Sequence, residues 1–446
     1  MTDSQFNIKI KEYRAISEAD IDLNGITVLS GVNGCGKSSI SMLTYEFFKS
    51  SINIEVLMQN EVFQLFIEPL ILIEDFIKAA LEVFNNNRSI KELKTDIANF
   101  YNKWNNNSIT ISELKIELST IIISTREFYI NNEEIINKNP ELKQKSSRTY
   151  KLISNYLPYN YLDVDFDGTF RNLNQYILNK LEELEVSENS FPSLILTERI
   201  KSIYESSSIP KNFEIKEYGE LLYSLTNYNE AMKIQSIKEV FYIDSPLILE
   251  ADDDSLSNNN HWKHLREKIK KSSKHNFNIE IEDLFHKNLG IENIEHIVTF
   301  EESFSYIRTD GEKFNLFESA TGIKSFAIIQ LLYQNGLLTK NTLLLLDEPE
   351  IHLHPQWVVE YARLVVLLNK HLGVKFLIAS HHPEFVSSIK YISEKEETTK
   401  GLNFYIAKEQ KKFSYKFVST GIEIEETFDS FNKSFDLIGK YGDNEI

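Results

Sequence analysis

Hydrophobic and polar positions along the chain fall into three textures. Near the start, FNIKIKEYR alternates with a period of two and GITVLSG runs apolar, and both predict strands. A glycine-rich turn, GVNGCGKSS, follows the second, and KSSISMLTYEFFKS continues as a helix. From about Ser51 to Ser236 the chain turns rich in Asn, Glu, Lys and Ile, with helix-period stretches such as EVFQLFIEPLILIEDFIKAALEVF. Asparagine clusters at 84–89, 104–108 and 130–134 read as loops and caps between those helices. Sustained heptads are not evident, so the pattern predicts an inserted helical subdomain over 51–235 rather than a long coiled-coil arm.

Strand texture resumes at EVFYIDSPLIL, 239–249. IEHIVTFEESFSYIRTDGEKFNLF predicts two or three antiparallel strands with a turn at Asp310-Gly311. Next come SATGIKSFAIIQLLYQNG as loop and helix, then LLLLDEPEIHLHPQW, whose four leucines predict a buried strand. PQWVVEYARLVVLLNKHLG is an amphipathic helix opened by proline and closed by glycine. VKFLIAS is another buried strand, and the tail offers a hairpin and a final helix. Strands alternating with helices predict an α/β fold with a largely parallel, helix-covered sheet. Its head is divided into 1–50, with the glycine-rich turn, and 236–446.

GVNGCGKS, Gly31 to Ser38, fits G-x-x-x-x-G-K-[ST] in the strand–loop–helix context that motif requires. Such a loop turns backbone N–H groups toward phosphate oxygens, so Asn33, Gly34, Cys35, Gly36, Lys37, Ser38 and Ser39 are candidate ATP-binding positions. Lys37 would reach the β- and γ-phosphates, and the Ser38 hydroxyl would ligate Mg²⁺. Ending a buried strand in Asp347 and Glu348 demands a compensating positive charge. In a P-loop fold that charge is the metal, with Asp347 in its shell and Glu348 polarising the attacking water.

Together, LLLLDEPEIHLHP and GVNGCGKSS resemble the ABC-type P-loop ATPases related to Rad50, RecF and the overcoming-lysogenization-defect proteins. The nearest likeness is to the stand-alone bacterial ATPases grouped as AAA-15 or AAA-21, found in anti-phage defence systems such as Septu, PARIS and some retron loci. The likeness covers about 1–50 and 236–446, and the insertion carries no motif of the family. It implies an ABC-type P-loop NTPase head with a mixed sheet, and a signature loop that meets the partner subunit's nucleotide. SATGIKSF stands in that place, with Gly322 matching the second glycine, and Ser319, Thr321 and Lys324 as side chains for the nucleotide. It departs from L-S-G-G-Q, since Ala320 stands where serine is usual. The likeness further implies a switch histidine, His381 of LIASHHPEF, and a dimer-facing turn at EIHLHP. Tyr13 or Arg14 would meet adenine or phosphates. A glutamine after VFYI is missing; Asp244-Ser245-Pro246 stands there instead.

Composition narrows the functions. A formal net charge of −18 makes the surface as a whole repel nucleic acid, so any DNA contact needs a local basic patch. HWKHLREKIKK is the candidate, with Lys263, Arg266, Lys270, Lys271 and Trp262. The single cysteine, Cys35, excludes a disulfide framework and a Cys-based zinc site. His352 and His354 lack a nearby third metal ligand and read as interface packing. No apolar run approaches the ~20 residues that cross a bilayer, and the start lacks a signal peptide's apolar region, which predicts a cytoplasmic protein. The leading expectation is an ATP- and Mg²⁺-dependent ATPase that forms a homodimer or higher homo-oligomer and controls a separate effector, a nuclease or toxin. Nucleic acid is not required, and no membrane is involved. The alternatives are a Rad50/RecF-like repair ATPase and an ATP-binding scaffold with little turnover.

Overall fold

The structure, a computed structural model, describes residues 5–105, 110–158, 161, 165–186, 191–203, 209–226, 234–250, 260–270, 278–288, 290–298 and 302–428. The first strands are β1 (Phe6–Tyr13), β2 (Ile16–Leu23) and β3 (Ile26–Ser30), followed by β4 (Asn212–Glu217), β5 (Glu220–Ser224) and β6 (Glu239–Ile243). Next come β7 (Ile291–Val298), β8 (Glu302–Arg308), β9 (Lys313–Asn315), β10 (Thr342–Asp347), β11 (Lys375–Ala379), β12 (Leu402–Lys411) and β13 (Ser414–Gly421). Ten of them form one sheet in the order β5-β4-β1-β2-β13-β12-β3-β11-β10-β6, and β7-β8-β9 form an antiparallel sheet of their own.

The large sheet is mixed: its centre is parallel, as the alternation of strands and helices predicts, and antiparallel pairs extend it on the β1 side. β12, β3, β11, β10 and β6 are parallel neighbours. β3 and β11 are buried along their whole length, and β10 up to its last residue, as continuous apolar runs covered on both faces should be. β1 pairs antiparallel with β2 and β4, and β4 with β5. β4 reads NFEIKE with strictly alternating burial, one face in the core and one in water.

The chain divides into two compact units, Met1–Ile54 with Ser193–Ile446, and Glu55–Pro192 between them. The helical unit is therefore shorter than the 51–235 expected. The Asn-rich texture runs on past it, but β4 and β5 add strands beyond β1 and so belong to the sheet. Within Glu55–Pro192, seven helices from Ile54–Gln64 to Phe166–Val186 surround their own apolar core, including Phe66, Phe76, Phe100, Phe166 and Phe170. Asn87, in the first expected cluster, caps with its Oδ1 accepting from Ser89 N (3.0 Å), and Asn139, outside those clusters, accepts from Leu142 N (3.0 Å). Among the described residues no single helix is long and apolar enough to cross a membrane. The expected final helix and the acidic loop at 251–259 lie outside the described residues.

Candidate functional site

Parallel register brings the carboxyl ends of four strands to one edge. Leu346 pairs with Ile243, Asp347 with Ala379, and Ala379 with Leu29. The residues that follow, Gly31, Asp244, Glu348 and His381, therefore collect at the crevice where open α/β sheets bind ligands.

β3 feeds the glycine-rich turn. Gly31 and Gly36 have φ of 149° and 106°. A Cβ would sit 2.7 Å from that of Ala407 at the first and 2.6 Å from Ile16 Cγ1 at the second, so both are confined by space as well as by conformation. The following helix, Lys37–Ile52, starts without a side-chain cap, leaving its first N–H groups to an outside acceptor. Lys37 is buried, and its ammonium donates to the carbonyls of Gly31 (2.9 Å) and Val32 (3.2 Å). Cys35 is fully buried, and burial raises its thiol pKa, so it is a packing residue.

Asp347 ends β10. Its Oδ2 accepts from the Tyr242 hydroxyl (2.9 Å), while Oδ1 is buried and has no hydrogen-bond partner. Burial raises this carboxyl above the usual range. The nearby Ser38 and Tyr242 hydroxyls lower it, and the charges of Glu348 and Asp244 push it up again. Glu348 adopts φ 49°, a left-handed conformation that a non-glycine residue holds only under constraint. Its N–H bonds to Ala379 O (2.8 Å), and its Oε1 lies 3.0 Å from His381 Nδ1. Glu350 is buried beneath, accepting from the Ser380 hydroxyl (2.6 Å) and His381 N (3.3 Å), and burial raises its pKa. A cavity of about 180 Å³ opens beside Asp347 and Glu348, bounded by Asp244, Ser325, His352 and Tyr361.

Asp244, flagged by the sequence only as a departure, is part of this group. His261 Nε2 lies 2.9 Å from its Oδ2, and Trp262 Nε1 donates to Oδ1 at 2.7 Å. Burial alone would raise its pKa, but these two contacts outweigh it and hold the carboxylate low. Tyr242 and His261 were not foreseen. Their signal is the parallel of VFYID to LLLLD: two neighbouring strands each ending in aspartate.

Several expectations change. Lys324 does not face outward. It is 4% exposed, ion-paired with Glu250, and donates to Phe317 O (2.7 Å). Gly322 is also buried, where a Cβ would lie 3.1 Å from the Trp357 ring, so its smallness serves packing. Ser319 donates to Asn315 O (2.8 Å), and Thr321 opens the helix Thr321–Gln334. No hydrogen bond joins Ser319–Lys324 to the glycine-rich turn among the described residues. Tyr13 is fully buried and cannot meet a base, whereas Arg14 lies in reach of the turn, donating to Ser39 Oγ at 3.3 Å. The helix Asn260–Ile269 is no free basic surface: Lys268 pairs with Glu239 (2.6 Å), Arg266 donates to Ile248 O (3.4 Å), and Trp262 is held by Asp244. Lys271 lies outside the described residues. His352 and His354 stand exposed on the turn after β10.

The family model described as AAA ATPase domain (AAA_15) matches residues 6–386. No curated protein matches the sequence. Among solved structures, the Smc head domain with an extended coiled coil bound to the C-terminal domain of ScpA, from Pyrococcus furiosus, is 10% identical. That likeness covers 98% of each chain at a TM-score of 0.34. The SmcHead bound to the C-winged helix domain of ScpA is 11% identical, covering 95% of this chain and 98% of that one, again at 0.34.

Proposed function

Since this chain belongs to the AAA ATPase domain family, whose model spans residues 6–386, we propose that it binds and hydrolyses ATP at the carboxyl edge of its large sheet. The observation that carries this reading is the pairing of the Gly31–Ser38 turn with a buried, unpartnered carboxylate oxygen on Asp347. An orphaned buried acceptor calls for an explanation, and a hard cation supplies one. Mg²⁺ takes oxygen ligands and keeps much of its water, needing one or two carboxylates plus phosphates, so Ser38 and Asp347 suffice to hold it. Asp244, held by His261 and Trp262, is the second carboxylate within reach of that charge. When bound, the metal neutralises charge developing on the phosphates.

The chain's own residues do the rest. Lys37 exchanges the carbonyls of Gly31 and Val32 for phosphate oxygens. Glu348, fixed by its left-handed turn, accepts a proton from the attacking water, and His381 holds its carboxylate in place. Glu350 orients His381 from below through the backbone N–H. Ser319 and Thr321, which make no hydrogen bond to the chain's own turn among the described residues, act on the nucleotide of a second copy, so turnover requires a homodimer or larger assembly.

Within that frame the protein is an ABC-type engine of the cytoplasm that regulates a separate effector, a nuclease or toxin, in anti-phage defence. A second reading, an ATP-binding scaffold with little turnover, is favoured by one observation: Lys324 is committed inward and offers the nucleotide no charge. ATP binding by calorimetry, together with hydrolysis and solution mass with and without ATP, tests both. Lys37→Ala should abolish binding, and retained binding would sink the site. Binding and ATP-dependent assembly without turnover would select the scaffold.

A further inference from the structure

The helix Pro140–Tyr156 of the helical unit carries four cations, Lys143, Lys145, Arg148 and Lys151, against one carboxylate, Glu141. In a chain of net charge −18 this is an unusual local balance. Lys145 is paired with Asp75 (3.3 Å). Among the described residues Lys143, Arg148 and Lys151 have no ion-pair or hydrogen-bond partner, although most other cations of this unit do. All three are exposed, and with Gln144, Ser147 and Leu152 they line an open groove of about 680 Å³. The platform beneath is fixed: Leu142, Ser146, Thr149 and Ile153 bury the opposite face, and Asn139 caps the start.

The chemistry of this face selects its occupant. Protein interfaces deplete lysine and centre on aromatic anchors, and the groove offers only Leu152. Single strands need rings on which bases stack, and no aromatic side chain lines the groove. At 1.5 Å per residue, Lys143 and Lys151 stand about 12 Å apart along the helix, with Arg148 between. The roughly 12 Å wide major groove of B-DNA admits an α-helix, and cations spread along an exposed helix face then meet the phosphates that line the groove. The deep, narrow major groove of duplex RNA does not admit a helix. Gln144 and Ser147 add neutral hydrogen bonds to phosphate oxygens.

We propose that this helix face is a docking surface for duplex DNA, held through its phosphates by Lys143, Arg148 and Lys151 without reading sequence. The inference goes beyond the ATPase reading and stands on a different part of the chain. The test is fluorescence anisotropy of the full-length protein on a mixed-sequence duplex across about 50–200 mM salt. Three phosphate contacts predict a log–log slope of about −2.7. The triple variant Lys143→Ala, Arg148→Ala, Lys151→Ala should flatten that slope toward zero, with unchanged circular dichroism and ATP binding. All three side chains are exposed, so folding should survive. An unchanged slope in the triple variant, or no duplex binding by the parent protein at low salt, would overturn the proposal. So would equal displacement by a polyglutamate peptide, which would identify an acidic protein as the occupant.

Discussion

Phe166 of the helical unit lies between Tyr129 and Phe170, with ring centroids 3.9 and 4.2 Å away and planes nearly parallel. Of this unit's buried hydroxyls, Thr125 and Ser146 bond back to carbonyls of their own helices, while Thr169 Oγ1 has no partner. The carboxyl edge of the large sheet is built the other way. There Asp347 Oδ1, Glu350 Oε2 and His382 Nδ1 are buried without partners, and Glu348 holds a strained φ. One region spends its sequence on an apolar core of stacked rings, with a single small hydroxyl, that of Thr169, left unpartnered close to Phe166 in the chain. The other keeps buried acceptors and stiff geometry, which hydrophobic burial elsewhere must support. The proposed ATP- and Mg²⁺-binding edge requires its unpartnered buried acceptors, and a framework does not.

If this contrast is right, the largest effect comes from the smallest chemical change at the edge. Glu348→Gln should lower turnover by about 10²–10⁴-fold, the range of a lost general base, while ATP binding and an ATP-stabilised dimer persist. Phosphate-release kinetics and solution mass decide it, and unchanged turnover would remove Glu348 as the base. In the helical unit a much larger deletion should act only on stability. Phe166→Ala should cost about 3–5 kcal/mol in chemical denaturation, because its cavity cannot collapse between two stacked rings. Its ATP affinity should equal the parent's. An equal loss of affinity would show that the helical unit serves the site directly and would break the contrast.

The two regions also differ in how far they can be read from sequence. Phosphate-turn chemistry is local: glycine spacing, a following helix and an apolar strand ending in Asp-Glu lie within short windows, so Lys37, Ser38, Asp347 and Glu348 are visible in the chain. Asp244 is less visible because its meaning depends on β6 lying beside β10, a pairing between segments about a hundred residues apart. The inward contacts of Lys324 are hidden in the sequence for a related reason. Nothing near SATGIKSF announces that Glu250, distant in sequence, takes its charge. The boundary at 235 failed because β4 and β5 share the insertion's composition while completing a sheet begun by β1. Texture follows composition, whereas membership of a sheet follows pairing.

A smaller effect concerns the basic helix. Asn139→Ala removes the cap on Leu142 N and should cost about 1 kcal/mol, read in the same denaturation experiment. Since the cap fixes the helix that presents Lys143, Arg148 and Lys151, the salt slope on duplex DNA should persist with slightly weaker affinity. A lost slope would mean that the first turn itself, rather than the exposed face, makes the contact.

The smallest effect lies beneath the edge, at Glu46 on the helix after the glycine-rich turn. Glu46 is 5% exposed, and burial raises its pKa above the ordinary 4.5, against the pull of Arg199, Lys49 and His261. A raised carboxyl contributes stability that is full below 4.5 and is lost as pH rises through its native value. Lys49 titrates near 8, above that window, while His264, lowered by burial from 6.5 to about 3, acts across it in both proteins and cancels from their difference. Glu46→Gln cannot ionise, so its melting temperature should gain on the parent as pH rises from about 4.5 toward neutrality. A gap independent of pH would mean that the Arg199 and Lys49 charges fully compensate Glu46. The site's incompleteness would then stop at the strand ends and not extend into the helix beneath them.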